Sequence, residues 1–326
     1  MPRKLRLEFP GAVYHVINRG NYRADIFATQ GARAAFTSCL WEVCRKSGWR
    51  VHAYVLMRNH FHLALETPKG NLVPGMQWLQ STFANRFNRL RGERGHLFQG
   101  RYKALLVEPG SPLGQLCHYI HLNPVRAGVT SVKKLRDFQY SSYWRLWNPA
   151  ERPPCLIVQT ALTQAGHLAD TPSGREAYEK FLTWQSTHGP AGRNQAYVSM
   201  SRGWAVGGKG FKESLLKDHA VAATSRAWES GGKREIRQLR WAKTLAACLN
   251  ALGKTPSAIA KDPKSSPWKI AVAAYLKQTT QASNGWLADQ LVMGGDVAVS
   301  HYTATLRRSP GPAQKHLSIL TTKLKA

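Results

Sequence analysis

Between Val13 and Asn123 the spacing of apolar residues switches repeatedly between a period of two and one of 3.6, and this alternation most restricts the folds open to the chain. Val13 to Asn18 (VYHVIN) is a β-rich run closed by Arg19-Gly20-Asn21, and Gln30 to Ser47 carries apolar residues at helical spacing up to Gly48. Arg50 to Met57 and His60 to Glu66 read as two strands joined across Arg58-Asn59 by a tight hairpin. A helix over about Val73 to Leu90 sets Trp78, Phe83, Phe87 and Leu90 on one stripe. Tyr102 to Val107 is a fourth strand, and Pro112 to Asn123 a last helix, opened by Ser111-Pro112 and stopped by Pro124. With right-handed crossovers the order βαββαβα predicts a ferredoxin-like α+β domain, an antiparallel-containing sheet with helices packed on one face.

Composition shifts at Asn148 to Pro154 (NPAERPP), which places this domain over residues 1–150. Residues 151–260 read as a mainly helical accessory region. It is interrupted by Gly203 to Gly210 (GWAVGGKG) and by Gly231-Gly232. The first stretch lacks the Gly-Lys-Ser/Thr ending of a phosphate-binding loop and reads as a turn. After Lys261 to Pro267, three short helical segments follow: Trp268–Lys277, Asn284–Leu291 and Val297–Arg308. The last two are joined by Met293-Gly294-Gly295-Asp296, as in a helix-turn-helix, so residues 261–326 are expected to form a DNA-binding module. On its second helix Ser300, His301, Thr303 and Thr305 are expected to face outward. Any small helical bundle could show the same pattern.

Lys and Arg number 46 against 18 Asp and Glu, a formal charge of +28, and such an excess calls for a polyanionic partner, by default nucleic acid. Residues 1–150 hold 22 basic and 7 acidic side chains and residues 151–326 hold 24 and 11, so both parts are expected to touch it. No apolar run approaches the roughly 18 residues of a spanning helix, and the basic N-terminus is not followed by an apolar segment. The expectation is a cytoplasmic, nucleoid-associated protein with no membrane and no small-molecule cofactor as partner. The five cysteines form no CxxC pair and read as reduced core thiols.

The residues that carry chemistry begin with Asn59-His60-Phe61-His62. On a strand His60 and His62 share a face, with Cα atoms about 7 Å apart, close enough for two imidazoles to converge on one ion. Glu66 shares that face but lies about 13 Å along the strand from His62, so a third ligand must come from elsewhere. The last helix offers one, because Tyr119 and Asn123 are four residues apart and stack a turn apart. Two imidazoles and an amide oxygen leave about three positions of an octahedral Mg²⁺ or Mn²⁺ for water and phosphate oxygens. Such an ion could polarise a phosphate that the phenol attacks. Taken alone, Tyr119 would read as a core tyrosine, and His-x-His pairs more often bind nothing.

PGAVYHVINRG, MRNHFHLAL, LFQGRYKALLVE and HYIHLNPVRAG, in this order and spacing, resemble the single-tyrosine HUH transposases, and among them the REP-associated tyrosine transposases. The resemblance covers residues 8–147, and RGWAVGGKGFKESLLKD at 202–218 is similar to a segment downstream in those proteins. It implies His60 and His62 as metal ligands, Tyr119 as nucleophile and position 123 as a further ligand. Transposon-borne relatives carry Gln there, and the shorter Asn123 leaves direct and water-bridged ligation both open. It also implies a single-stranded, hairpin-forming substrate of the palindromic, REP-like kind, cut to leave a 5′-phosphotyrosine and a 3′-hydroxyl. Arg86, Arg89, Arg101, Lys103 and Arg126, with Arg91 and Arg94, would neutralise its phosphates. Monomer and homodimer stay open. Two rivals remain: a non-cleaving hairpin-binding regulator derived from a transposase, and a two-metal carboxylate nuclease. The second is disfavoured because residues 1–150 hold only Glu8, Asp25, Glu42, Glu66, Glu93, Glu108 and Asp137, with no close acidic pair.

Overall fold

Strand β1 (Ala12–Arg19) lies inside the sheet, between β3 (His60–Thr67) and β4 (Lys103–Val107), antiparallel to both. This is a computed structural model, and it describes residues 7–187, 200–218, 234–308 and 311–324. Strand β2 (Arg50–Leu56) pairs with β3 through the expected hairpin, where the Met57 amide bonds the His60 carbonyl at 2.8 Å. The order β2-β3-β1-β4 is that of a ferredoxin-like sheet, and the expected α+β class is the observed one. A fifth strand, β5 (Ala205–Val206), extends it in parallel beside β4. It lies within the glycine-rich stretch that the sequence presented as a turn. That reading needs correction, since the amides of Leu106 and Glu108 bond the carbonyls of Trp204 and Val206.

Helices α1 (Gln30–Ser47) and α2 (Leu72–Arg91) cover one face of the sheet. Thr29 caps α1 through its hydroxyl, and Gly48 closes it in the left-handed conformation at φ 70°. Phe36 of α1 packs against Phe61 of β3 with ring centroids 4.8 Å apart, and Phe27, Phe83 and Phe98 complete the cluster. Each buried phenyl contributes about 1.5–3 kcal/mol over an exposed one.

The opposite face is covered by α3 (Ser111–His121), which departs from the expectation that all helices share one face. Leu116, Tyr119 and Ile120 join Val13, Val55 and Ala64 in a second core. Pro124 does not stop the chain's helical course. It sits in the first turn of α4 (Asn123–Arg126), where its missing N–H has no partner to lose, and only Leu122 separates the two helices. Helices α5 (Ser142–Trp147), α6 (Gln159–Gln164) and α7 (Pro172–Thr187) pack around α3. Gly114 permits the contact of α3 with α6, because a Cβ there would overlap the side chain of Gln164.

The described residues fall into two compact units, one within Glu8–Ser214 and one that joins Leu7 to residues within Leu215–Ala326, with α8 (Lys209–Asp218) spanning the division. The stretch 151–260 is thus shared between them. The second unit holds α9 (Arg234–Ala251), α10 (Pro256–Lys261), α11 (Pro267–Thr279), α12 (Asn284–Leu291), α13 (Asp296–Arg308) and α14 (Pro312–Lys323), around a core that includes Trp241, Cys248, Val272, Leu287 and Val299. Helices α12 and α13 are joined at Val292–Gly295, near the expected turn. Ser300, His301 and Thr305 are exposed, as expected. Thr303 is not: three or four residues from Val299 and Leu306, it faces the core with its hydroxyl on the Val299 carbonyl. The Gly231-Gly232 pair lies outside the described residues. All five cysteines are free thiols, and no helix among the described residues is long and apolar enough to cross a membrane.

Candidate active site

Register builds the site. On the face of the sheet turned toward α3, Val13, His15, Ile17 and Arg19 of β1 stand opposite Glu66, Ala64, His62 and His60 of β3, while Ile17 also faces Lys103 of β4. His60 and His62 therefore project to the same side, with ring centroids 5.1 Å apart, as their spacing predicts. Phe61 between them faces the opposite core.

Tyr119, on α3, stands edge-on to His62, its ring centroid 5.8 Å from that of His62 and 5.8 Å from that of His15. The Arg126 guanidinium lies 5.0 Å from the centre of the tyrosine ring. Asn123 is buried at the start of α4, and helical hydrogen bonds from Leu122 to His118 and from Arg126 to Leu122 keep it about one turn beyond Tyr119. The other tyrosines weighed as nucleophiles are placed elsewhere. The Tyr140 hydroxyl donates to the Gln30 carbonyl and that of Tyr143 to Glu179, while Tyr102 is buried beside β4.

Burial sets the ionisation of the site. His60, half-buried, is pushed down to about 4, first by desolvation and then by Arg19 across the strand pair. Buried His62 is held well below the ordinary imidazole value first by desolvation, then by the neighbouring imidazoles of His15 and His60 and by the guanidinium groups of Arg19 and Arg126. His15 is likewise pushed down to about 4. All three imidazoles are neutral at physiological pH, which is the form that ligates a cation.

Among the described residues no group of three or more His, Cys, Asp or Glu is set to hold a metal ion. Glu66 is engaged by Arg50 at 3.3 Å and by His52 at 3.2 Å, so it is occupied at the far end of the strand. Among the expected DNA contacts, Lys103 and Arg126 adjoin the site, and the Lys103 ammonium donates to the Ser201 carbonyl. Arg101 is exposed just before β4. Arg86 is not brought to the site. It lies on α2, across the sheet, bonded to Glu42 at 3.0 Å, and Arg89 is exposed on the same helix.

Three contributors escaped the sequence reading. His15 and Arg19 alternate with Val13 and Ile17 along β1, so their common face was legible, but not that it is the face of His60 and His62. The third is the backbone of Met200, whose carbonyl lies 2.6 Å from Nδ1 of His15. Nothing in a main-chain group separated by 185 residues signals its partner.

In comparison with known proteins, residues 9–123 match the family model described as transposase IS200 like. A solved structure, of the REP-associated tyrosine transposase bound to a REP hairpin, aligns at 19% identity and a TM-score of 0.39, over 48% of this chain and 92% of that one. No curated protein matches.

Proposed function

We propose that the IS200-like domain in the first unit is a metal-dependent endonuclease and strand transferase for single-stranded, hairpin-forming DNA, working through a bond between Tyr119 and a 5′ phosphate. The observation that carries this reading is the edge-on contact of Tyr119 with His62, on the sheet face that also presents His60. The hairpin preference rests on the sequence motifs, and the charge of +28 suits any DNA.

The residues fit a divalent ion. Both imidazoles are neutral, each has only its Nδ1 engaged among the described residues, and an amide follows Tyr119 by one turn. His60, His62 and Asn123 would hold Mg²⁺ or Mn²⁺, which would polarise the scissile phosphate and neutralise charge on the departing oxygen. Tyr119 Oη forms a bond to phosphorus, the bond from phosphorus to the 3′ oxygen breaks, and that oxygen leaves as a hydroxyl, the phenol proton reaching it directly or by exchange through solvent. The phosphotyrosine keeps the energy of the broken diester, so the same 3′-hydroxyl or another can reverse the step and transfer the strand. Arg126, Lys103 and Arg19 would neutralise flanking phosphates, with Arg101 further out and Arg86 and Arg89 serving only DNA that reaches α2. The second unit would add DNA contacts through the exposed face of α13.

The test is a denaturing gel of 3′-labelled single-stranded hairpin with the full chain and Mn²⁺. The expected result is a protein-bound label that disappears with chelator and in the His60→Ala, His62→Ala double variant, while hairpin binding persists. Tight binding with neither cleavage nor adduct would instead favour the non-cleaving regulator.

A further inference from the structure

His15 takes no part in the chemistry above, yet both of its ring nitrogens are held. The Met200 carbonyl can only accept, so Nδ1 of His15 donates to it across 2.6 Å. A neutral imidazole with its proton there presents Nε2 as an acceptor, and the atom facing it at 2.9 Å is Nδ1 of His62. Nδ1 of His62 must then carry the proton, and the His62 lone pair is left on Nε2. His60 arrives at the same form through a neighbour, since Nδ1 lies 2.7 Å from the Asn59 amide oxygen, which also only accepts.

We propose that His15, oriented by the Met200 carbonyl, is a positioning residue that locks His62 in its Nδ1–H tautomer and so reserves the Nε2 lone pair for a divalent cation. The cation rests on the reading in the preceding subsection; the tautomer does not. The lock reaches well beyond the local sequence. Met200 is held where it is because the residues that follow it are stitched to β4: the Ser201 carbonyl accepts from Lys103 and the Trp204 carbonyl from the Leu106 amide. The strand that carries His62 thus receives its proton placement from a segment docked two strands away, and imidazole left to water favours the opposite tautomer. A partner that orients a ligating histidine in this way is commonly worth about 10–100-fold in metal affinity.

The test uses the full chain labelled with ¹⁵N in its histidine rings. Long-range ¹H–¹⁵N correlations without metal should give a protonated Nδ1 and an unprotonated Nε2 for His62, assigned by loss of its signals in His62→Ala. Mn²⁺ affinity by electron paramagnetic resonance is then compared across variants. His15→Gln keeps a donor for Met200 and an acceptor for His62, so tautomer and affinity should stay within about threefold of wild type. His15→Leu keeps the bulk but not the acceptor, and should move His62 toward the Nε2–H form and weaken Mn²⁺ binding about 10–100-fold. An Nε2–H tautomer of His62 in the wild type, or an unchanged tautomer in a folded His15→Leu chain, overturns the proposal. Should His15→Leu not fold, the wild-type tautomer and its retention in His15→Gln decide. The expected tautomer without Mn²⁺ binding would instead leave the lock standing and remove the metal from the proposed function.

Discussion

The ring of Tyr119 stands edge-on to that of His62 with 5.8 Å between centroids, although the two residues are 57 positions apart in the chain and sit on a helix and a strand. The contact exists because α3 packs on the sheet face that the even-numbered residues of β3 share.

Replacing Tyr119 with Phe removes one hydroxyl and keeps the ring against His15, His62 and Arg126, so folding and hairpin binding should be unchanged. Adduct formation should fall at least about 10³-fold, as for other nucleophiles that act in a unit. Peptide mapping of the wild-type adduct checks the assignment; a label on Tyr102, Tyr140 or Tyr143 would exclude Tyr119.

Deleting Leu215–Ala326 should weaken DNA binding and flatten its dependence on salt, because the slope of log K against log salt scales with the phosphates neutralised. The cut belongs after Ser214. A truncation after Lys261 would leave Trp241, Leu245 and Cys248 of α9 without the helices that cover them. Equal slopes for both chains would remove the second unit from the DNA interface.

Stability should fall as pH is lowered from about 6.5 toward 3. His118 and His121 of α3 are held neutral, pushed down to about 3 by burial, with Tyr178 between them at 2.9 and 2.8 Å. In that window the unfolded chain binds protons that the native state does not, so each group favours unfolding as pH falls, by roughly 1 kcal/mol at pH 5.5. Thermal unfolding of the full chain at constant ionic strength measures this. His118→Gln, which keeps a polar partner for Tyr178 but cannot titrate, should reduce the slope; a Tm that does not change between pH 7 and 4.5 contradicts the assignment.

Gly114→Ala should destabilise the first unit by about 1–3 kcal/mol, because α3 cannot keep its approach to α6 around a new methyl group. Since Tyr119 rides on α3, cleavage should fall by more than the loss of folded protein explains. Urea unfolding and single-turnover cleavage, compared on the same preparation, separate the two effects.

The local readings succeeded where the physics is local. The two-residue periodicity placed His60 and His62 on one face with Phe61 on the other, helix α1 began and ended where Thr29 and Gly48 cap it, and the tight hairpin followed from Arg58-Asn59. Charge alone pointed to a polyanion. Other features depended on pairing between distant segments. That α3 covers the opposite face from α1 and α2, that Ala205–Val206 becomes a fifth strand, and that Thr303 turns inward were settled by which apolar surfaces could be buried together. His15 illustrates the limit best. The alternation along β1 gave it a face, but only the register with β3 set it against His62, and only the docked segment from Met200 onward gave its other nitrogen an acceptor. A side chain's direction is a property of the strand it sits on, whereas its hydrogen-bond partner is a property of everything folded around it.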